Sequence, residues 1–351
     1  MRRYNIISFL LTLPDKNFGP KKIMHIEVFT RSETLPELIE GSVLQSAFIF
    51  RIIENNKWCK PHMLVAYDDN HEEIGHIIVV KRSSFFIIPP LIKFWYIING
   101  EGTYREGYKE REAIFNLFME KVFEIFDFHH AYISVRNIED SRFAYSTFCT
   151  HDFVPIRDRR LYISLHSKPP QERLSKAYRS HIRKAENMGV THYRATSEKD
   201  ITAGISLLRK YYISKTRMSL PDKKTLFAML YEKDGTLSEK ARLFIVKYKE
   251  KIIGSSMCIY DKERAYLAYC CGLRKSYPLQ YPGIMAIWAA LTDAHKSGYP
   301  HFDFLEARGL SQIHYNFLNT LLNYGGKQVG TFRWYHFRWN WINKILRAIY
   351  V

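Results

Sequence analysis

The chain has 351 residues, of which 46% are hydrophobic and 15% aromatic. This composition predicts a globular protein with room for two domains, and it excludes a disordered chain. Lysine and arginine outnumber aspartate and glutamate by 52 to 35, and the resulting charge of +17 favours acidic partners such as a nucleic acid, a phosphorylated cofactor or an anionic membrane surface.

The N-terminal segment, residues 1–14, begins with two arginines after the first methionine and continues with an apolar run, as a signal peptide does. The run is short, and Asp15 and Lys16 follow where a cleavage site would need small residues. We therefore expect a folded strand or an interfacial segment. No stretch reaches the roughly 18 consecutive apolar residues that would predict a transmembrane helix.

A repeat organises most of the remaining chain. Residues 63–80 and 243–260 share one pattern, a strand, a polar turn, an Ile-Gly pair and a second strand, which predicts a hairpin in each half. In each half there follow an aromatic strand that ends in glycine, a loop, a helix with apolar residues at helical spacing, and another strand. A repeat of this length predicts two domains of one α/β fold with a mixed sheet.

The boundary between the two domains is predicted near Pro169 and Pro170, because proline interrupts both helices and strand ladders. We expect residues 1–166 to form the N-terminal domain and residues 167–351 the C-terminal domain. The strand that begins at Thr331 is then expected to be the last strand of the second domain.

The second domain is predicted to begin with a basic helix that ends at Gly189. Its predicted core face comprises Leu174, Ala177, Tyr178, His181, Ala185 and Met188. The opposite face carries Arg183 and Lys184, which either contact a phosphate or polyanion or are simply solvated.

Residues 265–307 contain the most informative pattern. It predicts a buried strand that ends at Gly272, an irregular turn, a helix over residues 284–295 that is ended by Gly298, and a short strand over residues 302–305. A helix that starts after such a turn presents unpaired backbone N–H groups, which suit an anion such as a phosphate.

The start of this helix resembles a known anion-binding loop. Gln280-Tyr281-Pro282-Gly283-Ile284-Met285 is similar to the pyrophosphate loop of the GNAT acyltransferase superfamily, Gln/Arg-x-x-Gly-x-Gly/Ala, with Met285 in place of the last small residue. The Tyr-Pro-Gly motif, the Gly-Tyr before Phe302-Asp303-Phe304 and the later Tyr-Gly-Gly, in this order after the basic helix, resemble the FemAB family. The resemblance covers most of residues 60–330 as a pattern.

The resemblance implies two tandem GNAT-like acyltransferase domains with the donor site in the second. It implies transfer of an acyl or aminoacyl group from acyl-CoA or aminoacyl-tRNA to an amine of a bacterial cell-envelope precursor, a peptidoglycan, polysaccharide or lipid. The donor is a co-substrate, and no permanently bound cofactor is expected. The residues expected to contact it are Cys271, Gly272, Leu273, Gln280, Tyr281, Gly283 and Ile284.

Acyl transfer to an amine requires a base, a polarised carbonyl and an acid for the leaving group. The backbone N–H groups of residues 271–273 are candidates to polarise the carbonyl. Asp303 and Glu306 are candidate bases, with a structural carboxylate as the alternative. Tyr315 is a candidate acid, with a core position as the alternative, and Arg308 either binds a phosphate or is solvated.

The sequence departs from the family where a reactive side chain is expected. Leu321 occupies the position of the family's lysine, and the tyrosine that ordinary GNAT domains place there is also missing. The corresponding residue of the first domain is Phe148. Either another residue supplies the proton, such as His314, Tyr315 or Lys327, or aminoacyl transfer is not the reaction. Two further classes therefore stay open: a catalytically degenerate tandem GNAT-like binding protein and an RNA-binding module.

No metal site is predicted, because the sequence shows no metal-ligand spacing such as His-Glu-x-x-His. The five cysteines form no Cys-x-x-Cys pair, which favours reduced thiols in the cytoplasm. Residues 339–351 interleave apolar side chains with Lys344 and Arg347. They are predicted to form either a segment that lies on an anionic membrane, which would place the protein at the inner membrane face, or a helix packed on the sheet.

Overall fold

The computed structural model describes residues 25–56, 58–88, 92–126, 130–216, 220–232, 234–305 and 319–350. The N-terminal segment predicted over residues 1–14 lies outside them. The chain divides into two compact units: unit 1 is Met1–Arg157 with Thr331–Val351, and unit 2 is Asp158–Gly330.

Unit 1 is a mixed sheet with α-helices. Its strands are β1 (His25–Phe29), β2 (Cys59–Tyr67), β3 (Glu73–Ile88), β4 (Ile92–Asn99), β5 (Thr103–Tyr104) and β6 (His130–Arg136). Its helices are α1 (Ala47–Glu54), α2 (Arg111–Ile125), α3 (Tyr145–Thr150) and the C-terminal helix (Asn340–Tyr350). The main sheet runs in the order β1-β2-β3-β4-β6, with β4 and β6 parallel.

Unit 2 repeats this plan. Its strands are β7 (Val154–Ser164, in this unit from Asp158), β8 (Thr191–Arg194), β9 (Ala241–Tyr248), β10 (Lys251–Tyr260), β11 (Arg264–Gly272) and β12 (His301–Phe304). Its helices are α4 (Pro170–Arg173), α5 (Lys176–Asn187), α6 (Glu198–Tyr211), α7 (Lys223–Leu230) and α8 (Pro282–Lys296), with a π-helical turn at Tyr212–Thr216 after α6. The sheet order is β7-β12-β11-β10-β9-β8, with β11 and β12 parallel. The predicted α/β fold with a mixed sheet is confirmed in both units.

Each unit is completed by a strand that lies far away in sequence. The last strand, β13 (Lys327–Phe337), pairs with β6 of unit 1, where Trp334 lies opposite Val135. β7 pairs with β12 of unit 2, where Phe302 lies opposite Ile163. The sequence predicts that the strand beginning at Thr331 is the last strand of the second domain. In the structure this strand belongs to unit 1 instead.

The predicted division at residues 166 and 167 differs from the observed units in both of these strands. Local patterns specify that a strand forms, but its partner is selected by long-range packing. For β13 this packing is aromatic: Trp334 is fully buried and stacks on Phe148 of α3, with their rings 4.5 Å apart.

The packing of α5 corrects one predicted helix face. Its buried side chains are Tyr178, Ile182 and Ala185, which share one face at helical spacing. Ala177 and Met188, both predicted to face the core, are exposed. No helix within the described ranges is both long enough and apolar enough to cross a membrane.

Candidate acyl-donor site

The candidate site of unit 2 lies where β11 extends past its parallel partner β12. Their register runs from Arg264 opposite His301 to Leu267 opposite Phe304. β11 continues along β10 to Gly272, so its end projects at the carboxyl edge of the parallel pair. Ligands of open α/β sheets bind at this edge.

Helix α8 begins beside this strand end with its first N–H groups unpaired. Tyr281 precedes the helix in the left-handed conformation (φ 46°, ψ 48°), and no side chain caps the start. The N–H groups of Gly283 and Ile284 have no hydrogen-bond acceptor among the residues that the structure describes. The other long helices of unit 2 are capped by Ser175, Ser197 and Asp222. An uncapped start with free N–H groups is suited to an anion.

Two glycines allow α8 to start directly on the sheet. A Cβ at Gly272 would lie 2.2 Å from the backbone nitrogen of Gly283, and one at Gly254 would lie 2.7 Å from the carbonyl oxygen of Pro282. Any side chain at Gly272 would therefore push the helix start away from β11. A Cβ at Gly283 itself would meet no atom within 4 Å, so the outer side of the turn is open.

The strand end offers fewer free N–H groups than the sequence suggests. The Leu273 N–H donates to the Ile253 carbonyl oxygen at 2.9 Å, and the Cys270 N–H points away from β10. Because N–H directions alternate along a strand, the Cys271 N–H points towards β10 and the Gly272 N–H points to the open side. Of the three predicted donors, only Gly272 is directed at the open edge.

A tyrosine that the sequence analysis did not consider lies at this edge. The Cys270 N–H donates to the Tyr212 hydroxyl at 3.3 Å, and Tyr212 is 2% exposed. Burial, with smaller contributions from Cys270 and Cys271, raises the pKa of the neighbouring Tyr211 phenol. Tyr212 begins the π-helical turn after α6. Such turns are frequent at functional sites, but the sequence pattern does not specify one.

The Asp303 carboxylate is held by two arginines. Its oxygens accept hydrogen bonds from Arg160 at 2.8 and 2.7 Å and from Arg264 at 3.1 Å, and the residue is 3% exposed. A carboxylate bound in this way by two guanidinium groups is engaged as a structural anion rather than poised to accept a substrate proton. The structure therefore favours the structural alternative for Asp303 over the predicted base.

Comparison with known proteins identifies this part of the chain. The family profile described as the acetyltransferase (GNAT) domain matches residues 172–312. We refer to residues 172–312, the region that this profile matches, as the GNAT domain. It lies entirely within unit 2, and the GNAT-type acyltransferase resemblance seen in the sequence is confirmed. A comparison with curated protein sequences found no match.

Solved structures share the fold over most of this chain. FemX is similar with a TM-score of 0.63 at 11% identity, over 90% of this chain and 96% of the FemX chain. The C-terminal domain of a putative lysylphosphatidylglycerol synthetase from Agrobacterium fabrum has a TM-score of 0.55 at 10% identity, over 87% and 91% of the two chains. A tandem GNAT protein of the clavulanic acid pathway has a TM-score of 0.52 at 9% identity, over 89% and 98%. The GNAT domain and this tandem fold support the prediction of an acyltransferase.

Met285, the residue at which this chain departs from the GNAT loop pattern, does not face the open side of the turn. Met285 is fully buried in the core of the GNAT domain, and its N–H donates to the Tyr281 carbonyl oxygen. Gln280 and Ile284 are half-buried beside it. The Tyr281 ring stacks on His181 of α5 with the ring centres 4.2 Å apart, which fixes the side of the turn facing α5.

The remaining predicted residues fall into three groups. Leu321 and Phe148 are fully buried in the cores of their own units, so both apolar positions are packing positions. Arg183 and Lys184 are exposed on α5. Three predicted site residues, and one alternative proton donor, lie outside the described residues: Glu306, Arg308 and Tyr315, and His314.

Proposed function

We propose that the GNAT domain transfers an acyl or aminoacyl group from an activated donor to an amine of a cell-envelope precursor. The donor is acyl-CoA or aminoacyl-tRNA, and the acceptor is a peptidoglycan, polysaccharide or lipid precursor. The observation that carries the proposal is the uncapped start of α8, seated on Gly272 with its outer side open at Gly283. Both donors carry the phosphate that such a helix start attracts.

The groups around the start of α8 and the end of β11 each have a role in this proposal. The N–H groups of Gly283 and Ile284 bind a donor phosphate, and the reactive carbonyl lies along the open side of β11 near the Gly272 N–H. The Tyr212 hydroxyl accepts a hydrogen bond from Cys270 and can donate its own proton, so it is a candidate acid for the leaving group. The exposed Arg183 and Lys184, in a chain of charge +17, favour a polyanionic donor.

The envelope acceptor is supported by the neighbours that share the fold. One of them is described as part of a putative lysylphosphatidylglycerol synthetase, a name that joins an amino acid to a lipid. FemX, whose solved structure has a TM-score of 0.63, shares the fold over 96% of its own chain. These likenesses concern the fold, and the amine acceptor itself is our inference.

The test compares two substitutions at one open position. Gly283→Asp adds a carboxylate at the helix start, where acidic residues favour the helix but oppose a bound phosphate. Gly283→Ala adds the same Cβ without charge and is the matched control. We expect the Asp variant to fold and to lose at least about tenfold in donor affinity, or about 1.4 kcal/mol, and the Ala variant to lose much less.

The readout is a thermal shift with acetyl-CoA, free CoA and uncharged tRNA, each repeated at raised salt. A donor at a hundred times its dissociation constant stabilises the fold by about 2.7 kcal/mol. A CoA shift that survives salt and disappears only in Gly283→Asp supports an acyl-CoA enzyme, whereas a shift with tRNA alone supports aminoacyl transfer. No shift with either donor would overturn the proposal in favour of a degenerate binding protein, and salt-sensitive RNA binding without turnover would favour an RNA-binding module.

We propose in addition that the C-terminal helix binds the surface of an anionic membrane, where a lipid-linked acceptor would be found. Trp341, Ile345 and Ile349 lie on one exposed face and are 62%, 50% and 65% exposed. The exposed Lys344 lies beside them. An apolar stripe with tryptophan and adjacent lysine is the pattern of helices that lie in a membrane interface.

Deleting this helix would be a poor test, because it also supports the sheet. The buried Asn343 accepts from the Phe337 N–H at 2.9 Å and donates to the Phe337 carbonyl oxygen at 2.8 Å. The better test is cosedimentation of a Trp341→Ser, Ile345→Ser double variant with anionic vesicles, with Ile213→Ser as the control because Ile213 is 68% exposed elsewhere. Equal binding by wild type and the double variant, or no binding by wild type, would exclude the membrane proposal.

A further inference from the structure

A cluster of three metal-ligating side chains lies in unit 1, far along the chain from the GNAT domain. His25 and Glu27 belong to β1, and His71 lies in the turn between β2 and β3. One ligand atom from each residue lies within 4.8 Å of the other two, and the His25 Nε2 and Glu27 Oε1 atoms are 3.6 Å apart. It is the one such group that the described residues contain.

We propose that His25, Glu27 and His71 bind a divalent transition-metal ion, and that Zn²⁺ is the best match. Two imidazole nitrogens and one carboxylate are a ligand set that zinc uses when a fourth position is left to water or another ligand. Two ligands about 2.1 Å from a tetrahedral zinc ion are about 3.4 Å apart, close to the separation of the His25 and Glu27 atoms. The His71 ligand atom lies within 4.8 Å of the other two, so binding requires its ring to move closer to them.

The fold explains how residues so distant in sequence meet. His25 and Glu27 are alternate residues of β1 and therefore project from the same face of the sheet. β1 pairs with β2 so that His25 lies opposite Tyr67, and the turn that follows Tyr67 brings His71 back over this strand end. The three rings of His25, Tyr67 and His71 are mutually stacked, with centres 4.7 to 5.2 Å apart.

The backbone at His71 supports a specific role for that side chain. His71 has φ 59°, in the left-handed region, and its N–H closes the turn on the Asp68 carbonyl oxygen at 3.0 Å. Histidine is among the residue types that adopt this conformation more often than most. The turn therefore accommodates a histidine at the position where its ring nitrogen lies within 4.8 Å of the other two ligand atoms.

The local charge also favours a cation. The turn over residues 67–73 reads Tyr-Asp-Asp-Asn-His-Glu-Glu, an acidic stretch in a chain whose overall charge is +17. Arg105 offsets part of it, with ion pairs of 3.5 Å to Asp68 and 3.1 Å to Glu72. The Glu27 carboxylate has no hydrogen-bond or ion-pair partner other than His25 in the part of the chain that the structure describes.

Another histidine–carboxylate pair nearby shows what a purely structural pair looks like. His76 and Glu73 lie 2.5 Å apart, both buried, and Glu73 also accepts from the Ile39 N–H at 2.9 Å. That pair is satisfied by protein groups, whereas the His25 cluster is half-exposed and open to an ion from solvent. A metal bound there would cross-link the edge strand β1 to the turn between β2 and β3 and would stabilise unit 1.

The test measures zinc binding by the metal-free full-length protein, by calorimetry and by thermal shift, with Mg²⁺ as the hard-cation comparison. We expect one zinc ion per chain, with affinity reduced at least tenfold by His25→Gln and by His71→Asn. Asparagine tolerates the left-handed backbone, so the second variant keeps the turn. His166→Gln, at an exposed histidine of unit 2, is the control and should bind zinc like the wild type.

Cobalt substitution distinguishes this site from the free cysteines. Co²⁺ in the proposed site should give a visible spectrum of a tetrahedral or five-coordinate ion with nitrogen and oxygen ligands, and both histidine variants should abolish it. A cobalt–thiolate charge-transfer band would assign the metal to cysteine and overturn the proposal. Zinc binding that is absent, not saturable at one ion, or unchanged in both variants would do the same.

Discussion

The turns that connect strand to helix differ between the two units, although the surrounding elements correspond. In unit 1 the turn after β4 contains three glutamates and two basic residues, and Glu101 is engaged by protein contacts. The Glu101 carboxylate accepts from the N–H groups of Ile138, Glu139 and Asp140 at 2.6, 2.8 and 3.1 Å. In the first turn of α2, Glu112 accepts from the Ala144 N–H at 3.2 Å.

The corresponding turn of unit 2 is basic and open. Residues 273–283 include Arg274 and Lys275 and no acidic residue, and α8 starts without a cap. Carboxylates at a helix start occupy or repel the place where a phosphate would bind, and an uncapped basic start attracts it. The difference in charge favours the proposed anion site in unit 2 over one at the corresponding turn of unit 1, which agrees with a GNAT profile confined to residues 172–312.

The largest effect should come from breaking the packing of β13 in unit 1. Trp334 is fully buried against Phe148, and Trp→Ala in a core costs about 3–5 kcal/mol. We expect Trp334→Ala to lower the free energy of unfolding by this amount and to remove hydrogen-exchange protection from β6 before β12. Trp341→Ala, at a 62% exposed tryptophan, is the matched control. Loss of protection confined to unit 2 would contradict the assignment of β13 to unit 1.

In unit 2 the closing strand β7 is joined to β12 by an ion pair between Arg160 and Asp303. Asp303→Asn removes the buried anion that Arg160 and Arg264 contact, and removing one partner of a buried ion pair costs about 3 kcal/mol or more. Urea unfolding should show this loss, and Glu250→Gln, at an exposed ion pair, should leave stability almost unchanged. Unchanged stability together with abolished turnover would instead make Asp303 the catalytic base.

A substitution at Gly272, which contacts the start of α8, is expected to have a smaller effect on stability. The Cβ introduced by Gly272→Ala would overlap the Gly283 nitrogen, and overpacking of this kind typically costs about 1–3 kcal/mol. Donor binding should fall with it, because the helix start must shift. Gly283→Ala adds the same methyl group where no atom lies within 4 Å and should not destabilise the fold. Equal stability of the two variants in thermal melts would show that α8 does not rest on Gly272.

The sequence patterns predict the strands and helices of unit 2, but they do not predict the contacts that form the candidate site. The strand, the turn and the helix of residues 264–296 follow from apolar spacing, proline and glycine, and Gly298 ends α8 at φ 81° as expected. The pairing of β13 and β7, by contrast, depends on contacts between distant residues. The same is true of the arginines around Asp303, since Arg160 lies far from it in sequence, and of Tyr212, whose position depends on a π-helical turn.

A further expected effect is a pH dependence that belongs to unit 1. Burial, with a smaller contribution from the charge of Lys81, lowers the pKa of His62 on β2 to about 4 from its ordinary value of 6.5. The folded state therefore resists protonation that the unfolded chain accepts. This contribution to stability is complete above about pH 6.5 and is lost progressively as the pH falls towards 4, below which both states are protonated.

The measurement is the difference in unfolding free energy between wild type and His62→Gln at several pH values from 7 down to 4. Taking the difference cancels groups common to both proteins, including Glu101, whose pKa burial raises to about 7 and whose effect on stability has the opposite sign. We expect wild type to lose stability relative to the variant as the pH falls through this range. His166→Gln, at an exposed histidine, should run parallel to wild type. A constant difference between wild type and His62→Gln would mean that the His62 ring is protonated as readily in the fold as in the unfolded chain, and that β2 of unit 1 is open to water at this position.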